Sequence, residues 1–342
     1  MRQIFTDREA LVGQFAKFYT EKKPDRIYLV GSGSSMNACM AAEGFISQIL
    51  GIEVVTIPPS RPAVIRGKKP LIIVVSQGGK SSNTFTYIQN IHSQGHMTAS
   101  FTAGLDLPVA RAADVAVDIA VGEETVGPKT RGYTGTVLCL YLAALEAALA
   151  CGLISREDYD YYIALLDETI GYAEDNLKKC HEFYLAHLGE LKKARHYLFV
   201  GKGCAAAVGA EDALKVLETL CYPSAGYEFE EYLHGPACCT DEGTALFLFY
   251  SDDADGHRME RLAGITAKAT KNCYIIDRTS SVKGDNILNL CSGKSIFMSP
   301  FVDVFFGQLI SAVLPEELGR KRHEAVREIF SDMNTKITEN IG

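Results

Sequence analysis

Residues 27–35 read IYLVGSGSS, an apolar strand followed directly by a loop of glycine and serine. Residues 71–82 read LIIVVSQGGKSS and repeat that order. In a turn from strand to helix, small and hydroxyl residues leave backbone N–H groups free to surround an anion, and the helix dipole adds attraction. Two such loops on one parallel sheet can close over one phosphate. The sequence therefore predicts a phosphorylated small molecule as the ligand.

Nucleotide sites are the first alternatives for these glycine-rich loops. The dinucleotide fingerprint needs a third glycine where Met36 stands, and the strand at residues 53–57 ends in Pro58-Pro59 with no acidic residue for a ribose. No G-x-x-x-x-G-K-[ST] sequence occurs, which excludes a nucleotide P-loop. Ordinary glycine-rich turns are a further alternative, but two hydroxyl-dense loops favour phosphate. We expect no cofactor.

Strand and helix patterns alternate along the first half of the chain. After a leading helix within residues 1–24, we expect strands at 27–30, 53–57, 71–75, 98–102 and 114–121 and helices at 36–50, 84–93 and 133–150. Continuous apolar strands that alternate with helices are typical of a parallel sheet covered on both faces. The fold class is therefore predicted to be α/β.

A second α/β series follows. It is expected to contain strands at 196–200, 244–250 and 272–276, a candidate strand at 295–298, a helix at 208–220 and another between the strands at 244–250 and 272–276. The strand–GxG–helix opening at residues 30–33 recurs at residues 200–203, which favours duplication of one unit. We expect an N-terminal domain with its leading helix at 1–152, a helical connector at 153–193, a second domain at 194–305 and a helical tail at 306–342.

Composition limits the class of protein. With 342 residues, 47% of them hydrophobic and 22% charged, the chain is typical of a soluble globular protein of two domains. A net charge of −8 without any Lys/Arg run argues against nucleic acid. Because no signal peptide opens the chain and no apolar run approaches the length of a membrane span, we expect a cytoplasmic protein that binds no membrane.

The ten cysteines are scattered and form no C-x-x-C pair. Cys238 and Cys239 are adjacent, which is poor spacing for chelating one zinc ion. We expect most of the cysteines to be buried reduced thiols and expect no metal site.

Several motifs together carry a family resemblance. They are GSSMNA at 33–38, SQGGKS at 76–81, GEE at 122–124 with TRGYT at 130–134, EDALKVLE at 211–218 and HGP at 234–236. From about residue 26 to 306 the chain resembles the sugar isomerase (SIS) domain superfamily in its two-domain form. It is most similar to fructosamine-6-phosphate deglycases and to the isomerase half of glucosamine-6-phosphate synthase. The resemblance implies two flavodoxin-like domains, each a mostly parallel sheet sandwiched by helices.

The resemblance also implies residues that bind the substrate. Those expected around the phosphate are Ser34, Ser76, Gln77 and Ser81. Gly33, Ser35 and the loop at 127–129, with Lys129, are expected along the sugar. Gly78 replaces the second serine of the synthase pattern, so one hydroxyl contact is lost, and backbone N–H groups or Lys80 are expected to substitute.

The resemblance makes Glu218 the catalytic base and His234 the residue that opens the sugar ring. Each has a simpler interpretation, Glu218 as a solvated helix carboxylate and His234 as a packing or capping residue. Transfer of a proton between C1 and C2 needs a base near both carbons, and a carboxylate whose pKa is raised towards neutrality by partial burial can act as one. Histidine can exchange protons near pH 7. In the resembling enzymes this histidine comes from the neighbouring subunit, so a homodimer with shared active sites is implied.

Other charged residues leave alternatives open. The run at 228–231 contains three glutamates that either border the site or form a solvated face, and Glu123 and Glu124 are equally ambiguous. The basic cluster at 320–323 and Lys336 lie in the tail, where a cation either contacts an anionic substrate or lies on the surface.

The reaction is narrowed by departures from the synthase pattern. No glutaminase segment precedes the sugar domains, Leu217 replaces the synthase lysine before the helical glutamate, and the synthase C-terminal lysine motif is not recognisable. The leading hypothesis is a fructosamine-6-phosphate deglycase. An aldose/ketose phosphosugar isomerase or an amino-sugar-phosphate deaminase is the alternative. A non-catalytic sugar-phosphate sensor is an alternative of another class, although the residues before the first strand are too few for a DNA-binding segment.

Overall fold

The computed structural model describes residues 1–61, 64–122, 124, 128–320, 333 and 335–337. It divides the chain into two compact units. Unit 1 comprises Met1–Tyr162 with His323–Gly342, and unit 2 comprises Ile163–Arg322.

Unit 1 is built around a parallel five-stranded sheet of order β2-β1-β3-β4-β5. Its strands are β1 (Arg26–Val30), β2 (Glu53–Ile57), β3 (Pro70–Val75), β4 (Met97–Thr102) and β5 (Val115–Asp118). Its helices are α1 (Arg2–Thr6), α2 (Arg8–Lys22), α3 (Ser34–Leu50), α4 (Ser82–Ser93), α5 (Pro108–Arg111) and α6 (Arg131–Ala150).

Helices cover both faces of this sheet because alternate strand residues point to opposite sides. Tyr28, Val30, Ile72 and Val74 pack with residues of α4 and α5, including Ile88 and Val109. On the other face Ile27, Ile73 and Phe101 meet residues of α2, α3 and α6. The predicted α/β class with a sheet covered on both faces is confirmed.

Two helices, α7 (Arg156–Gly171) and α8 (Ala173–Leu191), follow α6, and the second series then begins. Its strands are β6 (His196–Gly201), β7 (Ser224–Glu228), β8 (Thr244–Phe249), β9 (Cys273–Asp277) and β10 (Ile287–Asn289). Its helices are α9 (Cys204–Leu220), α10 (Phe229–Leu233), α11 (Gly256–Thr266), α12 (Ser299–Val302) and α13 (Val304–Glu317).

The second sheet repeats the topology of the first. Its strands are parallel in the order β10-β9-β8-β6-β7. Counted from β6, this is the same 2-1-3-4-5 order that unit 1 has from β1, which is the flavodoxin-like arrangement. Gly33 and Gly203 lie at equivalent positions before α3 and α9 and share a backbone conformation, with φ of 58° and 57°. The inferred duplication of one unit is therefore confirmed in unit 2 by both topology and turn geometry.

Several sequence expectations for unit 2 need correction. The candidate strand at 295–298 is a 3₁₀ turn, Ile296–Met298, and β7 and β10 were not predicted. β7 is a half-buried edge strand of sequence SAGYE, without the β-branched run that marks a strand. From the sequence, the apolar face of α9 was expected to contain Val208, Leu214, Leu217 and Cys221. This expectation was partly wrong, because Leu217 is 43% exposed and Cys221 is exposed.

Two helical stretches are long and apolar enough to cross a membrane by length and composition, Arg131–Ala150 and Ile296–Glu317. The expectation that no run reaches this length was therefore wrong. Most of each window is buried within the protein, 83% and 61% respectively, and buried core helices pass the same test. Burial accounts for their apolar character.

All ten cysteines are free thiols, but fewer are buried than expected. Four are buried, three are half-buried and three are exposed. The exposed ones are Cys221, Cys238 and Cys239.

Candidate functional site

The first glycine- and serine-rich loop of unit 1 ends at the N-terminus of α3. Gly33 takes a left-handed conformation, and Ser34 and Ser35 begin the helix. The first N–H groups of a helix have no partner within it, so the turn presents donors together with the positive end of the helix dipole. Gly31 must be glycine because a Cβ there would lie 2.9 Å from the backbone nitrogen of Met36. The loop can therefore hold an anion.

The second loop has the same arrangement at the next strand of the sheet. Ser76 follows β3, and Ser81 precedes the first turn of α4. Gly79 has φ of 57°, and a Cβ there would lie 2.5 Å from Leu107, so both backbone and space require glycine. The Asn83 side-chain amide donates a hydrogen bond of 3.1 Å to Ser32 Oγ in the first loop. The structure thus brings the two loops together, as the sequence predicted.

Gln77 is held in place by residues outside the two loops. Its Nε2 donates to Glu124 Oε2 at 3.0 Å, and Gly132 leaves room for its amide, which a Cβ would meet at 2.1 Å. Glu124 also accepts hydrogen bonds from the backbone N–H groups of Thr130, Arg131 and Gly132 at the start of α6.

Burial works against ionisation of Glu124, but its hydrogen bonds from backbone N–H groups and from Gln77 outweigh that effect and lower its pKa. Lys129 Nζ donates to the backbone oxygen of Glu124 at 2.7 Å. Glu124, which the sequence left ambiguous, therefore anchors this loop through its carboxylate.

Seven of the eight predicted substrate-binding residues thus lie on the two joined loops: Gly33, Ser34, Ser35, Ser76, Gln77, Gly78 and Ser81. Lys129 instead belongs to the segment that Glu124 organises. Gly127 and Glu123 lie outside the described residues. That these residues bind substrate stays a prediction.

The C-terminal part of the chain reaches the second loop within unit 1. Lys336 forms an antiparallel bridge with Ser81. Ser82 N donates to Thr335 O at 3.2 Å, and Ile337 N donates to Lys80 O at 2.8 Å. In the predicted basic cluster, Arg320 lies over the ring of Tyr222 in unit 2 at 4.0 Å, and residues 321–323 lie outside the described residues.

In unit 2, Glu218 stands near the C-terminal end of α9 with its side chain 39% exposed. Its Oε2 accepts a hydrogen bond of 2.6 Å from Lys215 Nζ. Lys215 is 1% exposed and also lies 3.6 Å from the buried carboxylate of Glu211. A carboxylate that is to accept a proton must be ionised, and this buried ammonium is its counterion. Lys215 was not predicted from the sequence, although a lysine three residues before a glutamate on a helix indicates that the two side chains can pair.

Asp212 lies next to Glu211 on the buried side of α9 and has an unusual environment. It is fully buried, and neither carboxyl oxygen has a hydrogen-bond partner among the described residues. Its carboxyl group rests against Gly307 of α13, where a Cβ would come within 2.1 Å. Burial first, and then the charges of Glu211 and Asp303, raise the pKa of Asp212 well above its usual range. Asp212 is therefore a buried carboxyl group of the helix interface whose ionisation is disfavoured.

His234 is the residue that ends α10, and it is exposed. Pro236 starts a 3₁₀ turn two residues later, so the backbone on both sides of His234 is constrained. Glu228 begins α10 by accepting hydrogen bonds from the backbone N–H groups of Glu230 and Glu231.

Glu230 forms an ion pair with Arg258 of α11, and its hydrogen bond with Arg258 lowers the pKa of Glu230. Arg258 also lies 5.1 Å from the ring centre of Phe229 and bonds Asp255 at 2.8 Å. In the run at 228–231, Glu228 and Glu230 therefore hold α10 in place.

Within the part of the chain that the structure describes, no group of three His, Cys, Asp or Glu side chains is placed to hold a metal ion. The candidate residues comprise hydrogen-bond donors, one ion-paired carboxylate and one exposed histidine.

Comparison with known proteins finds a family match for part of the chain. The SIS domain family model matches residues 21–147. A curated relative, the glutamine–fructose-6-phosphate aminotransferase [isomerizing] of Fusobacterium nucleatum, is 27% identical over 230 residues. The match covers 65% of this chain and 37% of that protein, so this chain corresponds to well under half of the relative's length.

Solved structures share the fold over almost the whole chain. A candidate phosphosugar isomerase from Clostridium difficile 630 superimposes with a TM-score of 0.89 at 24% identity, covering 99% of this chain and 96% of that one. The C-terminal domain of glucosamine-fructose-6-phosphate aminotransferase from Francisella tularensis gives a TM-score of 0.81 at 20% identity, with coverage of 93% and 96%. Identities this low establish the fold and no more.

Proposed function

This chain belongs to the SIS-domain proteins, and from that premise we propose that it is an enzyme acting on a phosphorylated sugar. The observation that carries the proposal is the pair of loops joined by the hydrogen bond between Asn83 and Ser32. They present serine hydroxyls and helix N-termini together, which is the chemistry of a phosphate site. The matched relative is named as an isomerizing aminotransferase of fructose 6-phosphate, which supports the same substrate class.

We propose Glu218 as the base. The ammonium group of Lys215 is a counterion 2.6 Å from the Glu218 carboxylate. The Glu218 side chain is 39% exposed, so it is accessible to a ligand. An exposed, ion-paired carboxylate on a well-packed helix suits proton transfer better than a fully solvated one, because its position is fixed. His234 is proposed to transfer the proton that opens the sugar ring.

The specific reaction that we propose is deglycation of a fructosamine 6-phosphate. Glu218 removes a proton from C1, the electrons form a C1–C2 enaminol, and a proton is returned to C2. The result is an imine at C1 with a hydroxyl at C2. Water then adds to the imine, the C1–N bond breaks, and glucose 6-phosphate and the free amine are released.

Assembly and location belong to the same proposal. His234 lies exposed at the end of α10, next to the exposed Leu233 and Cys238. A homodimer in which His234 serves the site of the other subunit would cover this surface. Ten free thiols are compatible with a reducing cytoplasm.

The test is an NMR time course with fructoselysine 6-phosphate in deuterated water. We expect release of lysine and glucose 6-phosphate with deuterium at C2. Glu218→Gln should lower the rate by roughly 10²–10⁴-fold, the usual contribution of a general base. Glu242→Gln, at an exposed glutamate of unit 2, is the matched control and should leave the rate unchanged.

Each alternative has its own outcome. Conversion of fructose 6-phosphate would show an isomerase, and ammonia released from glucosamine 6-phosphate would show a deaminase. Binding of these sugar phosphates with no turnover would favour a sensor. A Glu218→Gln protein with full activity would overturn the mechanism.

A further inference from the structure

One cleft of unit 2, lined by described residues, has no role in the proposed reaction. Its volume is about 940 Å³, which is large enough for a small-molecule ligand. Its walls come from the loops after β6, β8 and β9 and from residues 290–296. These loops lie at the carboxyl ends of the strands, and between β6 and β8 the order of the sheet reverses. Parallel α/β sheets bind ligands at that position.

The repeat shows how this crevice differs from the one in unit 1. Val30 pairs with Val74 in the first sheet, and Val200 pairs with Leu248 in the second. Gly78 lies four residues after Val74, and Asp252 lies four residues after Leu248. Asp252 is therefore at the position equivalent to Gly78. The first crevice has no carboxylate in its two loops, whereas Asp252 and Asp253 line the second. Asp253 is paired with Lys202, so Asp252 is the carboxylate that would repel a purely anionic ligand.

Part of the cleft wall is positively charged and rich in hydroxyls. Arg278 lines it and is 6% exposed. The described hydrogen bonds of Arg278 use Nη1 alone, to Tyr250 O at 3.1 Å and to Asp303 Oδ2 at 3.4 Å, which leaves the N–H groups of Nε and Nη2. Lys294 also lines this wall and has no carboxylate partner among the described residues. The remaining hydroxyls belong to Thr279, Ser280, Ser281, Ser292 and Ser295.

The wall is rigid before any ligand binds. The fully buried Asn176 holds Cys291 by two hydrogen bonds, at 2.7 Å to its oxygen and 2.8 Å from its nitrogen. Gly293 N donates to Thr169 Oγ1 at 3.0 Å, and a Cβ on Gly293 would collide with Leu165. Preorganised polar groups lower the entropic cost of binding.

We propose that this cleft binds a hydroxylated small molecule that carries both an ammonium and an anionic group. The ammonium lies towards Asp252 and Glu168, and the anionic group lies towards Arg278 and Lys294. Lys202 is not part of the anion site, because Asp253 and Asp255 already neutralise it at 2.8 Å and 2.6 Å.

The test uses Cys291, a half-buried thiol in the cleft wall, as a reporter. Its rate of alkylation by iodoacetamide is followed by peptide mass spectrometry, with the exposed Cys221 as an internal control. The probes are glucosamine 6-phosphate, which has both charges, glucose 6-phosphate, which has only the anion, and glucosamine, which has only the cation. The Glu218→Gln protein is used alongside the unchanged chain so that turnover cannot consume a probe.

We expect glucosamine 6-phosphate to slow alkylation of Cys291 selectively. The concentration that gives half-protection should be at least about tenfold higher for each singly charged probe. Asp252→Asn should weaken protection by glucosamine 6-phosphate alone, and Lys294→Gln should weaken protection by both phosphorylated probes. Equal protection by all three probes, or no protection by glucosamine 6-phosphate, would overturn the proposal. Alkylation of Cys291 is measured without catalysis, so the result tests the cleft proposal separately from the deglycase proposal.

Discussion

At the scale of single residues, α9 buries charged groups along a face where the sequence suggested apolar ones. Glu211, Asp212 and Lys215 are each at most 1% exposed, whereas Leu217 is 43% exposed. Burying a charge is costly unless it is paired or neutralised. Here Lys215 pairs with Glu211 and Glu218, and burial raises the pKa of Asp212. A buried cation on the same helix, Lys215, therefore holds the proposed base Glu218 in position.

Asp212 gives a prediction about stability and pH. Its folded-state pKa lies above the ordinary value of 3.8, so the folded chain binds more protons than the unfolded one, and stability falls as pH rises above that value. Asp212→Asn removes this dependence. We expect its melting temperature to exceed that of the unchanged chain, by a margin of a few degrees that widens as pH rises above 3.8.

Thermal unfolding monitored by circular dichroism measures this margin. Asp285→Asn, at an exposed aspartate of the same unit, is the control and should show no margin at any pH. A lower melting temperature for Asp212→Asn at alkaline pH would show that the carboxylate is ionised and paired instead.

At the scale of elements, the five-residue helix α10 is too short to be stable by itself. Glu228 caps its start, and Arg258 of α11 holds it through Glu230 and the ring of Phe229. His234 directly follows its last residue, so the position of the proposed catalytic histidine depends on contacts made by another helix.

Arg258→Ala should therefore reduce kcat by roughly three- to tenfold, because small displacements of catalytic groups slow reactions strongly. Stability should change little, since both partners are exposed. Arg258→Lys keeps the charge and should restore part of the rate. Steady-state kinetics with fructoselysine 6-phosphate measure the effect.

Arg261→Ala, on the exposed surface of the same helix, is the matched control and should behave as the unchanged chain. If Arg258→Ala changes KM alone, Arg258 contributes to substrate binding and does not position His234.

At the scale of the whole molecule, the proposed sharing of active sites predicts complementation between two inactive variants. Glu218→Gln and His234→Ala are each inactive as homodimers. If His234 acts in the other subunit's site, each mixed dimer has one site with both residues intact. Random mixing makes about half the dimers mixed, so about a quarter of full activity should return.

The measurement is activity after co-refolding or co-expression of the two variants with different affinity tags. Mixing Glu218→Gln with itself under the same treatment is the control. If the mixed dimers form but no activity returns, His234 acts within its own subunit.

The sequence was informative wherever local pattern and turn chemistry agreed. The strand at 53–57 has the predicted bounds, and the glycine- and serine-rich loops lie at the turns expected of them. β7 was missed because an edge strand of small residues that packs on α9 lacks an apolar signal. Gly226 illustrates this, because a Cβ added to it would lie 2.4 Å from the backbone of α9. Lys215 was missed because its burial depends on packing around α9, which no single-sequence pattern records.

By itself, then, the sequence determined the α/β class, the duplication, the two loops with their glycines and the identity of the candidate base and histidine. The fold class, the repeat and the loops follow from period-2 and period-3.6 patterns and from turn chemistry, which act between residues near in the chain, whereas the base and the histidine are what the family resemblance implies. The tertiary structure alone decided that Asn83 joins the two loops, that Lys215 is the buried counterion of Glu218, and that the second crevice carries charges of both signs. Each of these depends on which distant residues packing brings within a few ångströms.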